Sequence, residues 1–452
     1  MTEKEFRQAL RRGLGNAIIE LRSNENRIIY KDIVQYYCLR DISYDSQSEG
    51  TKGFYLYSVI CALEERKYFE HIIINKFMSH CSDILFLQLS DILFCYANDG
   101  SELAKNTFRK KYEYFATKYG KLSRNISKNI DEGFQWNEVA EKLFYIDGFS
   151  AFKRYAQDVG ENLNKNPNNR KIYYDFLIDR GKEVFGEKRV ETYMDKMCEK
   201  SNAIKALIDV LNEDKLLREQ HDTKIEQEKI TVNSLIEIIR KMALVGHSRA
   251  NILRYRSTFM RKASETEILE LANAVLDEEN ETVKGLLLDL LWRKPFPLDI
   301  TPLLQYTQSD NESLVESSIK VLSAFKDNRI HALSITLLQS KGINSFALSL
   351  LKNNYKKSDD NMIYSLLKKS AKVSHHVQQC IRDIYTHHRS INVFDTLFYV
   401  YQKGECTFCR YGIVEAMNHC NVLSDEILKE CLYDSYEDTR KFAKKLIEKR
   451  KL

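Results

Sequence analysis

Cys406-Thr-Phe-Cys409, followed by His419-Cys420, carries the residue types of a zinc knuckle, in which thiolates and imidazoles surround one ion. The helical pattern around these residues argues against that use. Cys409 and Cys420 fall on one helix face three turns apart. Eleven residues of helix rise ~16 Å, whereas ligands sit ~2 Å from their metal. Cys406 and Cys409 could still pair with His387, His388 or Cys431 of neighbouring segments. His375-His376 read as exposed polar residues at a helix end, and His376 with Cys380, four apart, would be only half a zinc site. The expectation is therefore packing thiols, with no metal, no cofactor and well under one equivalent of zinc in purified protein.

A second constellation is acidic. Asp45 precedes Glu65-Arg-Lys67 by twenty residues, which matches the Asp…Glu-x-Lys pattern of metal-dependent nucleases, and Glu49 lies in the same polar loop. In that chemistry the carboxylates hold Mg²⁺ and the lysine orients water. Here Ala62 to Phe69 continues a helical run, whereas the nuclease geometry places Glu and Lys on a strand, so Asp45 and Ser46 read as helix-capping residues. Gly13-Leu-Gly15 has Ile18 where a dinucleotide loop needs a third glycine, and no phosphate loop, nucleophile elbow or His-Glu-x-x-His helix occurs.

The remaining candidate is electrostatic. From Arg240 to Lys262 the chain carries seven Lys/Arg and no acidic residue, against +5 for all 452 residues. If Ser248 to Met260 is one helix, Arg249 and Arg256 share a face, as do Arg254 and Arg261. Such rows suit phosphates along a nucleic-acid backbone or an acidic protein, with Arg240, Lys241 and Lys262 adding charge and Tyr255 able to stack on a base. The competing assignment pairs these arginines with carboxylates of 212–230 or of Glu265 to Glu270.

The elements that must position these residues are helices. Glycine (16) and proline (4) total 20, where average usage would give roughly 50, and tight turns and glycine-rich loops need both. Hydrophobic residues at 43% suffice for large cores. Thr2-x-x-Glu5 is a capping box, and amphipathic runs follow through residue 211. Residues 212–230 are almost wholly polar. They divide an N-terminal helical domain, 1–211, from a second domain, 231–452, across a charged connecting segment. The most apolar stretch, His71 to Ala97, is interrupted by Lys76, Asp83 and Asp91, so no membrane helix is expected. Ten cysteines without disulfide-scaffold spacing and a charged N-terminus point to the cytoplasm.

The second half repeats itself. Anchors Val283, Leu314, Ile343, Val377, Cys409 and Thr439 stand 31, 29, 34, 32 and 30 residues apart. Apolar or small residues follow at +4 (Leu287, Ser318, Ala347, Ile381, Ile413, Ala443). The +7 and +8 positions are apolar too, as in Leu290-Leu291 and Ile384-Tyr385. These offsets share one helical face, so each segment is an amphipathic helix within a helix-pair repeat.

Over about 265–452 the pattern resembles HEAT repeats, whose second helix opens with an acidic turn, an apolar anchor and a basic residue. Asp277-x5-Val283-Lys284, Asp434-x4-Thr439-Arg440 and Cys409-Arg410 carry the likeness, with Pro302 inside the preceding helix, which the family's proline commonly bends. The resemblance implies an all-α right-handed solenoid of helix pairs with its anchors buried and its basic +1 residues exposed. The N-terminal half either continues that array or forms a separate helical domain. The family's usual employment implies a non-catalytic scaffold for a macromolecular partner, foremost a protein. The alternatives are a nucleic-acid-binding subunit of a microbial defence or repair complex, and a metal-dependent nuclease using the N-terminal domain.

Overall fold

The computed structural model describes residues 1–121, 130–165, 174–227, 231–244, 255, 257, 259, 263–292, 295–370 and 372–451. Among them regular structure is helical throughout, with a single isolated bridge between Val373 and Gly404. The chain divides into two compact units, Met1–Gln227 with Lys429–Leu452, and Glu228–Leu428.

The first unit opens with α1 (Glu3–Arg12), α2 (Asn16–Ser23), α3 (Lys31–Cys38), the single turn α4 (Ser46–Glu49), α5 (Gly53–Leu63) and α6 (Arg66–Met78). It continues through α7 (Asp83–Asn98), α8 (Glu102–Lys121), α9 (Ile130–Ile146), α10 (Phe149–Lys165), α11 (Tyr174–Phe185), α12 (Glu187–Cys198) and α13 (Asn202–Gln227). Local chemistry sets the ends. Thr2 and Glu5 close the capping box on α1, and Gly13, at φ 70°, ends it in the left-handed conformation glycine adopts without strain. Alternate helices pack on one another: α3 on α5, α5 on α7, α7 on α9 and α9 on α11, with α6 on α8 and α8 on α10 along the other row. Aromatic rings fill the space between, Trp136 lying 6.1 Å from Tyr112 and 5.7 Å from Tyr155, and Phe77 stacked 4.6 Å from Phe86. Residues 212–227 belong to α13, so the polar stretch is helical up to the unit boundary.

The second unit holds α14 (Val232–Leu244), α15 (Glu265–Asp277), α16 (Glu281–Leu290), α17 (Thr301–Tyr306), α18 (Glu312–Leu322) and α19 (Asn328–Lys341). Then come α20 (Ser345–Leu351), α21 (Asp360–Lys369), α22 (His375–His387), α23 (Phe394–Lys403) and α24 (Thr407–His419). The short α25 (Asp425–Cys431) crosses the unit boundary, and α26 (Glu437–Arg450) belongs to the first unit. Here too alternate helices stack, α14 on α16, then α18, α20, α22 and α24 in turn. Leu287, Ser318, Ala347, Ile381 and Ile413 are all fully buried, as are the paired residues that follow each of them.

Three expectations need correction. Ile343 is half-buried and precedes its helix, because Gly342 (φ 71°) ends α19 and Asn344 caps α20 one turn later, so Ala347 takes the anchor's place. The basic +1 residue Arg410 is fully buried rather than exposed, since its helix packs on both α22 and α23. Pro302 sits in the first turn of α17, where its missing N–H has no intrahelical partner to lose, so it starts that helix instead of bending it.

Candidate functional site

Most of the basic segment lies outside the described residues, including Arg249, Arg254, Arg256, Arg261 and Lys262. At its start, Arg240 on α14 pairs with Glu278 at 2.9 Å, a partner the sequence reading did not include, and Lys241 is exposed. Tyr255 is helical, half-buried and packed against the apolar core of the unit.

The nuclease-like residues have structural employment. Asp45 caps α4 by accepting from the Gln47 amide, and Glu49 forms an ion pair with Lys52 at 3.0 Å, both side chains buried. Lys52 also donates to the Ile42 carbonyl at 2.8 Å. Glu65 instead pairs with Lys31 at 2.6 Å, and Lys67 is exposed at the start of α6. Asp45 and Glu49 are thus brought together in one turn, and Glu65 is engaged elsewhere by a cation.

Two buried polar clusters were not foreseen. In the first unit Lys142 lies between Asp91 (2.8 Å) and Glu138 (3.1 Å), and Ser90 donates to Glu138. Burial alone would lower the Lys142 pKa. The two carboxylates outweigh it and hold the ammonium above its usual range. In the second unit Asp360 accepts from Tyr355 at 2.6 Å, Tyr385 at 2.9 Å and Ser390 at 3.0 Å. Burial and the neighbouring carboxylate push the Tyr385 phenol well above its ordinary value. Both clusters need residues far apart in the chain, which no local spacing announces.

The sulfur and imidazole donors converge at one place. His375, Cys406 and Cys409 present ligand atoms that all lie within 4.8 Å of one another, the two thiols buried and the histidine half-exposed. His375 is the first residue of α22, Cys406 the N-cap of α24 and Cys409 its third residue. The Cys409 thiol stands 3.2 Å from His375 Nδ1, and the Gln379 side-chain amide stands 2.8 Å from Nε2. Just before these helices the Val373–Gly404 bridge runs the two approaching segments parallel.

The other candidate donors are turned elsewhere. Cys420, at the far end of α24, donates to the Tyr385 carbonyl, in keeping with its distance along the helix. His387 contacts the Asp383 carbonyl and His388 the Lys352 carbonyl, while Cys380 donates to Ser345. The missed residue is His375. Its signal was the repeat itself: a step of 32 residues from Val377 to Cys409 sets the first turns of α22 and α24 side by side. None of the family models, curated proteins or solved structures compared with the chain matches it.

Proposed function

We propose that this chain is a non-catalytic, HEAT-like right-handed solenoid that works in the cytoplasm by binding a macromolecular partner, foremost a protein. The observation that carries the reading is the stacking of alternate helices in chain order within each unit. A helix pair cannot cover its own apolar stripe, so it stacks on its neighbours and builds an extended face, which is the kind of surface such proteins use to bind. The employment of Asp45, Glu49 and Glu65 in a cap and in ion pairs favours a binding role over nuclease chemistry.

The test is affinity purification from the source organism, followed by reconstitution of the complex from purified components. The expected result is a protein that co-elutes at fixed stoichiometry, rebinds when purified and survives nuclease treatment. Nucleic acid as the sole companion, with heparin binding that falls steeply with added salt, would replace this reading by the nucleic-acid one through segment 240–262. Mg²⁺-dependent cleavage of nucleic acid that disappears in Asp45→Ala would replace it by the nuclease.

A further inference from the structure

We infer that His375, Cys406 and Cys409 form a zinc site that ties the first turn of α22 to the first turn of α24. This inference does not rest on the partner-binding reading. Its starting point is a break in the capping pattern. The second helices α16, α18, α20 and α22 each begin with a residue whose side chain accepts from the backbone three positions on: Asn280, Asn311, Asn344 and Ser374. That bond satisfies one of the orphan amides of a helix start. In α24 the equivalent residue is Cys406, which makes no capping bond and is fully buried. Where the other helices spend this position on their own backbone, α24 places a thiol there, facing a second thiol and an imidazole.

The donor set is chemically selective. Two thiols and an imidazole suit a borderline-soft ion such as zinc, and disfavour magnesium and calcium, which take oxygen ligands. Around tetrahedral zinc with Zn–S of about 2.3 Å, donors stand about 3.8 Å apart. The Cys409–His375 pair is already within that spacing at 3.2 Å, and the widest separation of the group, at most 4.8 Å, closes with small rotamer changes. Nδ1 faces the thiol, so Nδ1 is the ligating nitrogen. Nε2–H then donates to the Gln379 amide, which presents its oxygen after a flip and fixes the ring as partners of ligating histidines do. The Val373–Gly404 bridge supplies the rigid frame. A Cβ on Gly404 would come within 2.5 Å of the Gln378 side chain on α22, so a larger residue there would have to displace that side chain. A fourth ligand would have to reach the ion from the side of His375, since both cysteines are buried and His375 is half-exposed.

Binding converts the two thiols to thiolates, releasing two protons to solvent, and needs neutral His375. Zinc affinity therefore falls as pH drops, because protons compete with the ion for the donor atoms. The test uses the full chain, expressed without a polyhistidine tag and purified under reducing conditions. Elemental analysis should find one equivalent of zinc, released when a mercurial blocks the thiols. Cobalt in place of zinc should give thiolate-to-metal charge-transfer absorption of the intensity of two sulfur ligands. Zinc should be lost in Cys409→Ser and His375→Gln and kept in Cys380→Ser and Cys420→Ser. The wild-type measurements stand even if Cys409→Ser fails to fold. Less than a tenth of an equivalent in wild type after incubation with zinc, copper in place of zinc, or zinc that persists in His375→Gln with no change in the cobalt spectrum would each overturn the assignment.

Discussion

Asp360 gathers three hydroxyl donors at one carboxylate of the second unit. It is buried, opens α21, and accepts from hydroxyls contributed by three separate positions, Tyr355, Tyr385 and Ser390. Hydrogen bonds to a charged acceptor contribute about 1.5–3 kcal/mol each, and a buried hydroxyl left without a partner costs a further ~1–3 kcal/mol. Asp360→Ala is therefore predicted to be the most damaging change, because it strands all three donors. Tyr385→Phe removes one donor, leaves Asp360 the other two and should cost about 1.5–3 kcal/mol. Urea denaturation of the full chain gives the ordering. In the Asp360→Ala background, Tyr385→Phe should cost little more, since its acceptor is already gone. Additive effects of the two changes would show that Tyr385 contributes through packing and not through the carboxylate. Sequence reading could not find this node, because Tyr385 was visible only as an apolar repeat position and its hydroxyl's destination lies 25 residues away. The same limit hid His375, whose partners stand 31 and 34 positions later.

Helices were the legible level. Turn residues are scarce and apolar residues recur at helical offsets, and both follow from what a helix requires of any chain, so they can be read without knowing neighbours. Capping was legible where a motif is local, as in Thr2-x-x-Glu5. It failed at Ile343, where a glycine termination and an asparagine cap moved the helix start by one turn and left the apolar spacing as a misleading guide. Helix-to-helix distance is the property that spacing does not encode, and Gly285 on α16 is its clearest case. A Cβ there would lie 2.9 Å from the Leu314 amide nitrogen and 3.0 Å from its Cα, both backbone atoms of α18 that cannot swing aside. In an open helix, Gly→Ala gains about 1 kcal/mol of propensity. Here the gain is predicted to be reversed, with Gly285→Ala destabilising by about 1–3 kcal/mol as the two helices separate. Leu290→Ala, at a fully buried position of the same helix, supplies the scale of an ordinary core truncation, about 2–5 kcal/mol. A Gly285→Ala protein more stable than wild type would mean that α16 and α18 do not pack this closely.

At the scale of the molecule, the two chain ends meet within one unit. Periodicity assigned α26 to the last repeat of the second half, and it does present Thr439 and Ala443 as buried face residues. Yet Lys429–Leu452 is part of the unit built by Met1–Gln227. Pairing between ends more than 400 residues apart leaves no trace in local spacing, so this organisation was invisible in the sequence. Its contacts are close. The Ser435 amide donates to the Gly13 carbonyl at 2.9 Å, and the Arg22 guanidinium lies 4.6 Å from the centre of the Tyr433 ring. Gly15 permits the approach, because a Cβ on it would stand 2.0 Å from the Glu430 carbonyl oxygen. Its backbone, at φ −64° and ψ −25°, is ordinary for any residue, so alanine would meet no conformational strain there. Gly15→Ala therefore isolates the contact between the ends. It should cost about 1–3 kcal/mol, as overpacking against a backbone atom does. Hydrogen exchange followed by peptide mapping locates the loss. Protection is expected to fall together in Met1–Ser23 and in Lys429–Leu452, the two segments that the new methyl group forces apart, while α7, deep among its neighbours, keeps its native rate. Exchange unchanged in Lys429–Leu452 would mean that the C-terminal segment is not held by the N-terminal helices.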